Sequence, residues 1–341
     1  PILYGNSTVG GGSHGGNANH GKNYPDYNNT RDQWAYDDFR KPALPGMRGG
    51  SNLGGGSLEL KAPNIIVDGT ITANGESCKS SGDIICGAGG SILIKSESIS
   101  GSGLIQANGG ARNSAKASGA GGRVAVYYDS YTGAQPEAII SEGMQISASA
   151  GDPNGDLSKY SGAGTVFLKQ TNQQFGDLLF KNSFDNPNEY PRAHSSIPSI
   201  GQHTIKHVYQ DQINSNAWWI EVEDYSWNKS VSDNVVGMQV ILDHTDKQSK
   251  IYEVQEQKSN AIKVYAAEDL TMFIGKTLSG MVRLDKLTIQ NPGILVACND
   301  IIYANEYLIP DRNAVLFSIN LERTDSAYEL GDITLNEESK Y

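Results

Sequence analysis

Between Gly54 and Gly110 apolar and polar side chains alternate in short bursts, and the same order of bursts occurs twice. Gly56-Ser57-Leu58-Glu59-Leu60-Lys61, followed by Asp68-Gly69-Thr70-Ile71-Thr72-Ala73-Asn74-Gly75, returns 34 residues later. The second statement is Gly90-Ser91-Ile92-Leu93-Ile94-Lys95, followed by Ser102-Gly103-Leu104-Ile105-Gln106-Ala107-Asn108-Gly109. Period-2 runs broken by Gly or Asn predict short β-strands. Looser copies open at Gly122-Arg123-Val124-Ala125-Val126 and Gly164-Thr165-Val166-Phe167-Leu168, and Met144 to Gly151 matches the second half of the phrase. Spacings of 34, 32 and 42 residues between the copies predict stacked units whose loops vary while the strands persist.

Stacking requires aliphatic residues at equivalent positions. Leu60, Ile94, Val126 and Leu168 are predicted to form one ladder, and Ile71, Ile105 and Ile146 another. Asn74-Gly75 and Asn108-Gly109 sit at strand ends, where a corner of positive φ is expected. Stacked Asn side chains would hydrogen-bond along the ladder. Gly87-Ala88-Gly89-Gly90 and Gly119-Ala120-Gly121-Gly122 precede the repeated strand, and close backbone approach is the simplest reason for them. A phosphate-cradling loop lacks its context here, because no helix and no Lys-Ser/Thr follows.

Beyond residue 170 the pattern changes. Candidate strands at Trp218–Val222, Met238–Leu242, Lys250–Val254 and Ala261–Tyr265 suggest a small antiparallel barrel or sandwich. Short strands resume at 282–284, 287–289, 294–296, 301–303, 315–317 and 333–335. The reading is all-β: a glycine-rich parallel β-solenoid with an inserted small antiparallel β-barrel or sandwich domain. Its predicted spans are a Gly-rich cap at 1–56, solenoid repeats at 57–170, the inserted domain at 171–281, and resumed solenoid strands at 282–341. Trp34, Tyr36 and Phe39 in the first span argue for an ordered cap, because flexible linkers seldom carry aromatics.

Composition supports this division. Of 39 glycines, 32 lie in the first 170 residues. Hydrophobic residues make up 38% of the 341, which favours short strands and turns over long helices. A net charge of -11 disfavours nucleic-acid backbones and anionic membranes. No apolar run is long enough for a membrane span. The chain opens at Pro1 without a leader, so it reads as a mature or excised piece. Cys78 and Cys86 flank a short polar segment and would form a disulfide in a secreted protein. Buried free thiols are the alternative, and the odd count leaves one cysteine over in either case. Asn6, Asn28 and Asn228 open Asn-x-Ser/Thr sequons.

Gly11-Gly12-Ser13-His14-Gly15-Gly16, the twin strands at Gly56 and Gly90, and Gly121-Gly122-Arg123-Val124-Ala125-Val126-Tyr127-Tyr128 together resemble the glycine-rich solenoid modules of large secreted or cell-surface, adhesin-like proteins. The resemblance covers roughly residues 5–170, and 282–310 more weakly. The stretch from Asp26 to Arg48, rich in charges and aromatics, departs from it. The resemblance implies an architecture and names no ligand.

Few groups point to chemistry. Asp152-Pro153-Asn154-Gly155-Asp156 spaces oxygen ligands as a calcium loop does, yet Ala163 stands where an EF-hand needs Glu, so a plain polar turn competes with a calcium site at Asp152, Asn154 and Asp156. His203 and His207 lie four apart without the Glu of a zinc protease. Glu221, Glu223, Asp224 and Asp243 could supply a glycosidase pair, and Trp218, Trp219 and Trp227 a sugar-stacking surface, although adjacent Trp218 and Trp219 on a strand face opposite ways. Lys95 and Arg123 fall at different strand positions and form no evident cluster.

The expectation is therefore a non-catalytic extracellular or cell-surface module, structural or adhesive. Its partners would be other copies or segments of a larger assembly, or carbohydrate; no cofactor is expected, calcium being the one candidate. A polysaccharide lyase or hydrolase of β-helix type and a carbohydrate-binding module are the alternatives.

Overall fold

The computed structural model of the protein describes residues 13–16, 35–78, 86–111, 117–132, 145–151, 161–183, 193–223, 234–243, 245, 249–290, 294–298, 300–309, 315–318 and 332–335. They form an all-β structure whose one helical feature is a 3₁₀ turn at Thr271–Phe273. Among the described residues no helix is long and apolar enough to cross a membrane.

The repeated phrase builds two parallel ladders. The first contains β1 (Ser57–Lys61), β4 (Ser91–Ser100), β6 (Arg123–Thr132) and β8 (Thr165–Gln170), with β2 (Asn64–Ile66) also paired to β4. The second is β3 (Thr70–Thr72), β5 (Leu104–Gln106) and β7 (Gln145–Ser147). Registers match the repeat: Leu60 pairs with Ile94, Ile94 with Val126 and Val126 with Leu168. Ile71, Ile105 and Ile146 form a rung of the second ladder. Ile92, Ile94, Val124, Val126, Ile105 and Ile146 share one buried cluster, so the two ladders pack against each other through these rungs.

Strand direction first reverses at β9 (Asp177–Lys181), which pairs antiparallel with β8 and parallel with β17 (Thr277–Gln290). The intervening turn ends at Gly176 with φ 92°, and the carboxylate of Asp285 accepts the N–H groups of Phe175 and Gly176 at 2.8 and 2.7 Å. β10 (Ala193–Ser196) joins β18 (Ile294–Cys298) and β20 (Val315–Ser318) in a small parallel sheet. β9 and β10 thus pair with strands from the last sixty residues, although they precede the antiparallel set in sequence.

That antiparallel set comprises β11 (Gln202–Gln210), β12 (Ala217–Val222), β15 (Glu256–Gln257) and β16 (Ala261–Tyr265), with β13 (Gln239–Ile241) and β14 (Ile251–Glu253) alongside. It has an aliphatic core of its own, including Ile205, Ile220, Val222, Val240, Ile262 and Val264. The fourteen-residue β17 joins the two arrangements. Its first half pairs antiparallel with β11 and β13, and its second half parallel with β9 and β19 (Ile301–Ile309). β19 in turn pairs with β21 (Asp332–Leu335), and fifteen strands belong to this one mixed sheet. The sequence pattern reads 282–284 and 287–289 as two strands; they are one, because polar Asp285 sits within the run and ties down the turn at Gly176.

The glycine runs pack by backbone alone. Gly87 N–H bonds the carbonyl of Glu76, Gly89 that of Ala120, Gly110 that of Gly87, Gly119 that of Gly110 and Gly151 that of Gly119. Each extended segment therefore bonds several neighbours, and Gly87 to Gly90 and Gly119 to Gly122 are buried. A Cβ on Gly75, Gly87, Gly89, Gly109 or Gly119 would come within 3 Å of another segment's carbonyl. This corrects the expectation for Gly75 and Gly109: neither adopts positive φ. Glycine is needed there because chains approach too closely for a side chain, the constraint that also places glycine on the axis of the collagen triple helix. Asparagine caps the stack: Asn74 Oδ1 accepts Asn108 N–H at 2.7 Å, and Asn108 Oδ1 accepts Ser149 N–H at 2.8 Å.

Candidate functional site

The densest gathering of polar chemistry lies on the outer face of the first ladder. Ser57, Ser91, Arg123 and Thr165 are register partners. Alternation puts them opposite the aliphatic rungs, on the face that also carries Leu93, Ala125 and Phe167. Described residues of the first 56 cover that face. Phe39 meets the Phe167 ring edge-on with centroids 5.4 Å apart, and the Tyr127 hydroxyl donates to the Arg40 carbonyl at 2.7 Å. Gly15 and Gly16 N–H groups bond the Gly121 carbonyl, and Ala88 N–H bonds that of Met47.

Under this cover His14, Tyr36, Asp37, Ser91, Arg123 and Thr165 meet. His14 and Arg123 are fully buried and Ser91 is at 0% exposure. The Gly89 carbonyl only accepts, so His14 Nδ1, 2.9 Å away, carries a proton. His14 Nε2 faces Asp37 Oδ2 at 3.3 Å. That same oxygen accepts Ala43 N–H at 2.8 Å, Leu44 N–H at 2.9 Å and lies 3.1 Å from the Ser91 hydroxyl. Arg123 Nε donates to the Tyr36 carbonyl at 2.8 Å and Nη1 to Thr165 Oγ1 at 2.9 Å. Asp37 is the one non-glycine at positive φ among the described residues, at 71°. The bend turns its carboxylate back under its own segment.

Burial lowers the pKa of His14, against the opposing hydrogen bond and charge of Asp37. Burial alone would raise Asp37; the His14 bond and charge, the Leu44 N–H and the Arg123 charge outweigh it and bring the value below that of an ordinary carboxylate. Burial also takes Arg123 down to about 10, although Asp37 and Asp38 favour its charge.

Serine, histidine and aspartate in one cluster suggest acyl transfer, but the geometry differs. In a nucleophilic triad the serine and the acid take opposite ring nitrogens. Here both face Nε2, a carbonyl occupies Nδ1, and Ser91 Oγ makes its shortest bond, 2.6 Å, to the Leu44 carbonyl. With Ser91 and His14 sealed from solvent, the arrangement anchors the N-terminal segment on the ladder.

Next to it lies a small cleft lined by Asp38, Arg40, Met238, Met281 and Asp300, among others. Burial raises the Asp38 pKa and takes that of Asp300 up to about 7. Asp300 Oδ1 accepts Gly201 N–H at 2.7 Å. Its carboxyl occupies the space above Gly280 that a Cβ would fill. The carboxylate therefore clasps the entry of β11 against β17.

The residues singled out by sequence are scattered. Cys78 and Cys86 form a disulfide with Cα atoms 5.0 Å apart, and Cys298 is free and buried. Asp152, Asn154 and Asp156, the sequon residues Asn6, Asn28 and Asn228, and also Asp224 and Trp227, lie outside the described residues. His203 Nε2 bonds the Ile200 carbonyl at 2.8 Å and His207 lies beyond an irregularity in the β11 register. No three acidic, His or Cys side chains are placed to hold a metal ion among the described residues. Trp218 belongs to the antiparallel core. Trp219 donates Nε1–H to Asp211 and lies beneath the ammonium groups of Lys258 and Lys263, 3.7 and 5.2 Å from its ring centroid. Neither face of these two indoles is a bare sugar platform.

Sequence reasoning missed the His14–Asp37–Arg123 cluster, since 23 and 86 residues separate its members along the chain. Two signals pointed to it: the charged and aromatic departure from glycine pattern before Arg48, and an arginine at the rung position held by Ser57, Ser91 and Thr165 in the other copies. Comparison of the chain with protein-family models, with curated proteins and with solved structures finds no match.

Proposed function

We propose that the chain is an extracellular structural or adhesive module: a rigid β-solenoid segment of a larger surface or filament-forming protein, with no catalysis of its own. In this reading β1 to β8 are successive coils of a parallel solenoid, and the strands between 202 and 265 form a small antiparallel domain carried on it. One observation carries the proposal. The repeat pairs with itself in register over four statements, from Ser57 through Ser91 and Arg123 to Thr165, and its loops pack backbone to backbone. Such packing leaves little freedom between coils, which suits a spacer or platform. On the first ladder's outer face Ser91, Arg123 and Thr165 are committed to fixing the N-terminal cover. The Cys78–Cys86 disulfide supports an oxidising compartment.

The test is a panel of plant, bacterial and animal polysaccharides, assayed for new reducing ends and unsaturated products, with glycan-array binding in parallel. The expected result is no turnover. Product formation would replace this reading with a β-helix lyase or hydrolase, and glycan binding without turnover would make the adhesive role carbohydrate-directed.

A further inference from the structure

The open end of the first ladder is unfinished in a specific way. Among the described residues β1 and β2 each pair only with β4, and β3 only with β5. Leu58 is 37% exposed whereas its register partner Ile92 is at 0%. Leu60, Ile65 and Ile71 are half-buried, yet Ile94, Ile99 and Ile105, which pair with them, are at 0–1%. The same rungs are sealed wherever a coil precedes them.

Glycine gives an independent indication. In later coils the glycine heading each strand is forced by the coil before it. A Cβ on Gly90 would overlap the Gly56 carbonyl, one on Gly122 the Gly90 carbonyl, and one on Gly164 the Gly122 carbonyl. A Cβ on Gly103 would likewise overlap the Gly69 carbonyl. Gly56 and Gly69 hold the same places in the first coil, but nothing lies within 4 Å of where their Cβ atoms would be, and neither has positive φ. Among the described residues no steric demand keeps either one a glycine. A preceding coil would supply that demand.

We infer that the β1–β2–β3 edge is a docking surface for one further parallel coil of the same glycine-and-aliphatic repeat, carried by a separate polypeptide, whose carbonyls close over Gly56 and Gly69. A second copy could set the far edge of its large sheet here in parallel only with its two faces inverted, which does not continue the aliphatic rungs. The direction reversal at β8–β9 makes the other free edges of the large sheet, β14, β15 and β21, run opposite to β1. The occupant adds strands by main-chain pairing and covers Leu58, Leu60, Ile65 and Ile71. This inference rests on the stacked-coil reading of the module.

The probe is a synthetic peptide with the sequence of residues 87–110, a coil that carries both repeated strands and no cysteine. Titrated into the intact protein, it is expected to saturate with a Kd of roughly 100 μM or tighter and to slow amide exchange across Ser57–Thr72. Gly56→Val and Gly69→Val should each weaken binding roughly tenfold or more while leaving the thermal midpoint unchanged, because both sites are open in the free protein. Absence of binding at about 1 mM peptide, or equal binding by the valine variants, overturns the inference. Concentration-dependent self-association abolished by Gly56→Val would overturn it in favour of a second copy. Polysaccharide turnover would sink the module reading alone, and failed peptide binding the docking edge alone.

Discussion

Gly87 to Gly90 and the apolar residues of Ala261 to Val264 are both strongly buried, but different forces hold them. The second group packs conventionally, with Ile262 and Val264 set among Ile220, Val222 and Leu242, where the gain comes from apolar area removed from water. The first has almost no side chain to bury. Its stability rests on backbone hydrogen bonds between segments that approach too closely for a Cβ, so it depends on shape more than on hydrophobicity. Glycine also loses the most chain entropy on ordering. The Cys78–Cys86 disulfide and the Asn74 and Asn108 side-chain bonds fall within this entropy-poor region, where added restraint has the most to offset.

The sharpest way to break the contrast is Gly122→Val. Its Cβ would meet backbone atoms of Gly89, Gly90 and Ala107, none of which can rotate away. A loss of about 4 kcal/mol or more is expected, enough to abolish folded yield; a variant with an unaltered urea midpoint would show that the glycine bundle yields. Arg123→Leu should cost about 3–4 kcal/mol by removing the buried positive charge near Asp37 and leaving the Tyr36 carbonyl and the Thr165 hydroxyl without the guanidinium donors. Hydrogen exchange should show residues 35–48 losing protection before β4 and β6 do. If all of them loosen together, the arginine supports the ladder itself and not only its cover.

In the conventional core, Ile220→Ala should cost about 3 kcal/mol and Ile220→Val about 1 kcal/mol, measured by urea denaturation. That graded response has no counterpart at Gly122, where even alanine should fail. A second measurement separates the regions by pH. Burial raises the Asp300 pKa from 3.8 to about 7, so the folded state binds its proton more tightly than the unfolded state. Stability from this group is fully present below about pH 4 and is lost as pH rises through 7, by roughly 4 kcal/mol. Asp300→Asn, which keeps an acceptor for Gly201 N–H, should flatten that part of the stability profile. An unchanged profile would mean the carboxylate is not the group responsible. The smallest expected change is Gly56→Ala, within about 0.5 kcal/mol, since nothing approaches that position. Measured beside Gly122→Val, it sets two glycines of equivalent repeat position against each other.

Strand content and ladder register were legible in the sequence because both follow from local alternation. Leu60, Ile94, Val126 and Leu168 announce a rung by recurring after glycine at a near-constant interval. Ala261–Tyr265 was equally legible as a strand. The direction reversal at β9 was not, because Asp177–Lys181 carries no sign of which neighbour it will choose. Nor was the purpose of the glycines. Gly75 following Asn looks like a turn requiring left-handed φ, and only the position of the Gly87 segment shows that closeness, not φ, excludes a side chain there.

The sequence by itself determined an all-β chain, the repeat and the residues that stack upon one another, since hydrophobic period and glycine spacing are written along the backbone. Tertiary structure alone decided that His14, Asp37 and Arg123 share one sealed cluster, that Trp218 and Trp219 are covered, and that Gly56 and Gly69 face open space. Those facts depend on which distant segments come to lie side by side, and sequence separation carries no record of that distance.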